Sequence, residues 1–163
     1  MKRILFFISL TLCFIVSNAQ TESRQSEIDA LANKVDSLEH VVSYMNLYSE
    51  LYSLINEMKI SKNEVVNSYV DIKSDILNKN FNRQLGKSHK QYYEAVESNK
   101  KSLVKKIEAI KKLYILSILT YPYSETELGA LNAAYDTIDP ALDSLEKSIE
   151  ALKTATEIYN ELM

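Results

Sequence analysis

The sequence predicts an all-α protein, an antiparallel bundle of about four long helical segments meeting along coiled-coil-like seams. Three observations carry this. Gly86, Gly129, Pro122 and Pro140 are the only glycines and prolines. Average usage over residues 20–163 calls for roughly seventeen, and sheets with their turns consume such residues. Apolar residues recur at steps of three and four over long stretches, which is the helical period. Helix start and stop signals fall between those stretches.

The chain opens with Met1-Lys2-Arg3, an apolar run over 4–16, and Ser17-Asn18-Ala19 before Gln20. A short basic start, an apolar stretch and small residues at the −3 and −1 positions make a secretory signal peptide. Residues 1–19 are therefore expected to be cleaved after Ala19, leaving a secreted or periplasmic protein. The thirteen residues of this run rise only about 20 Å as a helix, short of the roughly 30 Å hydrocarbon core, so no transmembrane span is expected after cleavage. Cys13, the one cysteine, lies in this leader, and the remaining fold must hold without a disulfide. Residues 20–163 have the length of a single domain.

The first helix is placed near 24–59. It begins with Ile28, Leu31, Val35, Leu38, Val42 and Met45 in regular steps, then widens until eleven of the eighteen positions over 41–58 are apolar. That face is too broad for one partner helix, and its remainder is left for contacts within the chain or for self-association with a second copy. Ser61-Lys62-Asn63-Glu64 reads as a capping box stapled by Ile60 and Val65. It would start a second helix near 61–85, with Val65, Tyr69, Ile72 and Ile76 on its seam and Gly86 as its left-handed closing residue.

Ser88 with Gln91 starts a third helix near 88–120. Tyr92, Val96, Leu103, Ile107, Ile110 and Tyr114 line its face, and Asn99 takes the slot between Val96 and Leu103 as a polar core residue that fixes register. Pro122 forces the next turn. Ser124-Glu125-Thr126-Glu127 repeats the capping box and starts the last helix, 124–163. Its seam runs from Leu128 through Leu131, Tyr135, Ile138, Leu142, Leu145, Ile149, Leu152, Thr156 and Tyr159 to Met163. Asp139-Pro140 resembles a fresh helix start, yet the seam keeps its register there, so a kink or brief break at Pro140 on an unchanged partner is expected.

Catalysis has little to work with. His40 and His89 are the only histidines, and Asp36 with His40, four apart, supplies two ligands where a metal site needs three or four. Glu-x-x-His, phosphate-loop, nucleophile-elbow and haem-attachment patterns are missing. The expectation is a non-enzyme with no catalytic residue, metal or cofactor. Cleavage would leave 17 basic and 22 acidic residues, net −5, which argues against a specific nucleic-acid binder.

Two surfaces remain as candidates. Eleven tyrosines and no tryptophan form a skewed aromatic set, in which Tyr44, Tyr48 and Tyr52 make an i, i+4, i+8 stripe and Tyr121 and Tyr123 flank the turn at Pro122. Such amphipathic rings could bind a peptide, a glycan or a partner helix; packed at the bundle rim with their hydroxyls in water, they would bind nothing. Charge is partitioned as well: 83–112 carries nine basic against three acidic residues, and 124–163 two against nine. Lys100, Lys101, Lys105, Lys111 and Lys112 share one arc of the helix surface. They are read chiefly as partners of the acidic last helix and secondarily as an anion-docking face.

Together these observations lead to a macromolecular-interaction, scaffold or envelope component whose partner is another protein or envelope component. The alternative is a four-helix sensor or binding domain with a small-ligand pocket lined by tyrosines.

Overall fold

The computed structural model describes residues 2–163, with side chains from Arg24 onward, and the predicted leader lies outside the described side chains. The described residues are helical with short connections: α1 (Lys2–Leu77), α2 (Arg83–Thr120) and α3 (Glu125–Glu161). Packing divides the chain into two units, Met1–Val42 and Ser43–Met163. Among the described residues no helix is long and apolar enough to cross a membrane.

Three helices replace the expected four because α1 runs straight through Ser61. No glycine or proline interrupts the chain there, and Met58 and Val65, one heptad apart, are both buried at 1 % exposure. A helix with a core contact on either side of a Ser-x-x-Glu sequence has no reason to stop at it; the pattern is then an ordinary surface spacing.

Gly86 does not close a helix either. The left-handed residue is Lys79, φ 53°, where the Asn80 N–H donates to the Asp75 carbonyl at 2.9 Å and the Lys79 N–H to Ile76 at 3.2 Å, a Schellman motif. Gly86 lies inside α2, buried. A Cβ there would collide with Met163 Cε and stand 2.8 Å from Asn160 Oδ1, so its missing side chain makes room for Asn160 and Met163. The N-cap of α2 is correspondingly Asn82 in place of Ser88, its side chain accepting from the Gln84 N–H at 2.8 Å.

The second unit is an up-down-up bundle. Ser43 meets Ser117, Glu57 meets Lys106 and Asp75 meets His89, which makes α2 antiparallel to α1. Lys111 meets Asp139 and Lys100 meets Glu146, which makes α3 antiparallel to α2. Leu47, Leu51, Leu54, Met58 and Ile72 of α1, Leu103, Ile107 and Ile110 of α2, and Leu131, Ile138, Leu145, Ile149 and Leu152 of α3 form its core.

Ser124 caps α3 as expected, with both hydrogen bonds of the capping box to Glu127 present. The helix continues through Pro140. Proline costs one backbone hydrogen bond, but here at an exposed position where water can serve the freed carbonyl, while Ile138 and Leu145 stay buried on either side. Asn99 is exposed, contrary to the expected core position. The slot falls instead to Lys100, whose stem is partly covered while its ammonium reaches Glu146 at 3.0 Å.

In the first unit the described side chains are exposed apart from the half-buried His40. Ile28, Leu31, Val35, Leu38 and Val42 are among the exposed residues.

Candidate interaction surface

The two tyrosine groups, some seventy residues apart in sequence, are one row. Leu47, Leu51 and Leu54 bury the inner face of α1, which turns Tyr44, Tyr48 and Tyr52 to its flank. Tyr44 stacks on Tyr48 with ring centroids 5.9 Å apart, and Tyr48 lies 5.1 Å from Tyr52. At the other end Tyr44 meets Tyr123 edge-on at 6.1 Å, and Tyr123 is followed by Tyr121 at 6.1 Å. These spacings are those of interacting aromatic pairs.

Tyr123 anchors the row. Its hydroxyl bonds to the Ser43 hydroxyl at 3.0 Å and to that of Ser117, and Ser43 and Ser117 lie 3.3 Å apart. Ser117 is buried, so three hydroxyls from α1, α2 and the α2–α3 turn satisfy one another there. Tyr123 is thus a fastening, whereas Tyr52 at the far end is half exposed at 50 %.

Partial desolvation raises the Tyr48 phenol above its ordinary value, and the hydrogen bond with Tyr52 adds to the shift. The phenol therefore stays protonated at neutral pH and able to donate a hydrogen bond. Beside the rings, Met45, Ser49, Ser53, Asn56 and Ile60 complete a shallow shelf, every residue of which comes from α1. A surface built on one helix offers hydroxyls, amides and ring faces side by side but encloses nothing.

A cleft to which all three helices contribute lies elsewhere. It has a volume of about 240 Å³ and is lined by residues including Glu64, Tyr92, Asn99, Lys100 and Ile149, without a tyrosine of the row. An apolar groove of about 450 Å³ separates α1 from α3 at Tyr69, Ile76, Ala155 and Ile158. Among the described residues no group of three or more His, Cys, Asp or Glu side chains is arranged to hold a metal. His89 faces Asp75 at 3.4 Å and meets the Tyr159 ring edge-on at 4.9 Å.

The lysine arc divides in two. Lys100 pairs with Glu146 at 3.0 Å and Lys111 with Asp139 at 2.5 Å. The hydrogen bond to Glu146 raises the Lys100 ammonium above the usual lysine range, and the Lys111 ammonium also lies 5.8 Å from the centre of the Tyr135 ring. Lys101, Lys105 and Lys112 are exposed and form no ion pair among the described residues. The cross-helix partner that the charge pattern did not single out is Lys106, whose ammonium donates to both Glu57 carboxylate oxygens at 2.9 Å.

Sequence patterning also missed the exposed apolar end of α2. Leu113, Leu116 and Leu119 are 47, 67 and 80 % exposed; each lies off the seam through Ile110, Tyr114 and Ser117, and that offset is the signal that could have marked them. No protein-family model, curated protein or solved structure is significantly similar to this chain.

Proposed function

We propose that this protein is a non-catalytic, exported interaction module that holds another protein or envelope component on its tyrosine shelf. The observation that carries the reading is the five-membered row from Tyr52 to Tyr121, which joins two surfaces singled out separately in the sequence. Tyrosine brings large contact area with few torsions to immobilise and keeps a polar tip, which is why it is enriched where proteins dock. The shelf is open and long, a form that suits a helix, an extended peptide or a glycan chain better than a metabolite, which needs a cavity that covers most of its surface. Export is supported by the leader-like order of residues 1–19.

The experiment is an affinity capture from cell-envelope extract with wild type beside Tyr48→Ser/Tyr52→Ser, run with a thermal-shift screen of metabolites and glycans. A partner retained by wild type and lost by the variant, with no small molecule raising the melting temperature, is the expected result. A saturable shift with a metabolite and no captured partner overturns the reading in favour of a sensor domain.

A further inference from the structure

Ile28, Leu31, Val35, Leu38 and Val42 are 51–64 % exposed, a contiguous apolar stripe of the kind that marks an interface. With Ile28 at heptad position a, the stripe fills a and d without error. The buried α1 residues Leu47, Leu51, Leu54 and Met58 fall at f and c of the same count. Between Met45 and Leu47 the pattern advances by two residues, a turn of about 200°. The stripe thus follows a register of its own, separate from that of the bundle core.

We infer that residues 28–42 form a parallel, two-stranded coiled coil with a second copy of this chain. The a positions, Ile28, Val35 and Val42, are all β-branched, and the d positions, Leu31 and Leu38, are both leucine, the combination that favours two parallel strands over three or four. The flanks fit a copy as well. Lys34 at g and Glu39 at e are five residues apart, so in a parallel pair Lys34 of each chain lies opposite Glu39 of the other. An antiparallel pair would set Lys34 against Val41 and Glu39 against Ala32 and lose both attractions. Fifteen residues are short for an isolated helix, whose first turn is costly to form. Here α1 continues to Leu77, so pairing extends a helix that core packing has already nucleated.

The test is sedimentation of the whole protein, purified at its natural N-terminus, from low to high micromolar concentration. Wild type is expected to form a concentration-dependent dimer. Leu31→Glu/Leu38→Glu should be monomeric throughout with an unchanged bundle melt, since both side chains are exposed within the chain. Lys34→Glu and Glu39→Lys should each weaken the dimer by roughly three- to tenfold, and the double reversal should restore it. Leu31→Cys, beside wild type as control, should cross-link on oxidation; an antiparallel pair would hold the two Leu31 positions eleven residues, about 16 Å, apart.

A wild type that stays monomeric, because the stripe serves some other protein, overturns the inference. So does a trimer, or a dimer that survives the Leu31/Leu38 substitutions. Failure of both the charge rescue and the cross-link overturns the parallel orientation. The inference does not rest on the proposed role of the tyrosine shelf: loss of the captured partner and loss of the dimer are separate readouts.

Discussion

Tyr159 shows how one hydroxyl can close a fold. The side chain is fully buried, and its O–H donates to the Asn80 carbonyl at 2.8 Å while the Asn82 N–H donates back to it at 2.9 Å. It thereby ties the end of α3 to the turn that starts α2. Tyr159→Phe keeps the ring against Phe81 and His89 but leaves two turn groups without their partner. The expected loss is about 1–3 kcal/mol in urea unfolding, and a change below half a kcal/mol would mean that water replaces the hydroxyl freely. The position of Tyr159 on the α3 seam was legible in the three-four spacing. Its partners were not, because they lie 79 and 77 residues away and no local pattern encodes such a bond. Tyr123 repeats the lesson: its ring was visible as a candidate contact, but its bonds to Ser43 and Ser117 required the tertiary arrangement.

Whether a local signal becomes an element depends on what packs beside it. Ser61 and Ser124 carry the same Ser-x-x-Glu spacing, yet only Ser124 caps a helix, because Pro122 has already ended α2 and the chain must restart. Ser124→Ala should therefore cost about 1 kcal/mol, the usual worth of an N-cap, whereas Ser61→Ala should stay within about 0.5 kcal/mol; equal losses in thermal melts would refute the continuous α1. The lysine arc obeys the same rule. Composition announced that the basic helix would face acidic partners, but side-chain reach decided which lysines do so. Lys100→Glu/Lys111→Glu places two like charges against Glu146 and Asp139 and should lower the melting temperature at low salt, with the deficit shrinking as salt screens the repulsion. Reversing Lys101, Lys105 and Lys112 in place of these should barely move it. The opposite order would return the arc to the role of a single charged flank.

At the scale of the whole molecule, the helical class and the α3 seam could be read from the sequence because periodicity is a one-dimensional signal. The division after Val42 could not, since the apolar pattern passes from the stripe over 28–45 to the core stripe without a polar gap. Only the two-residue advance between Met45 and Leu47 separates them. All nineteen buried apolar residues among the described ones lie between Leu47 and Tyr159, and every cross-helix ion pair named above joins residues of the second unit. A chain beginning at Ser43 therefore retains the whole described core and all three helical layers. It is expected to give a fully helical circular dichroism spectrum and one cooperative thermal transition within about 3 °C of the full protein, the shift that roughly half a kcal/mol produces in a domain of this size. Loss of cooperativity, or a spectrum with far less helix per residue, would mean that residues before Ser43 help to hold the bundle. With the stripe removed, the fragment should also remain monomeric at concentrations where the full protein pairs, so that folding and association are carried by different stretches of the same helix.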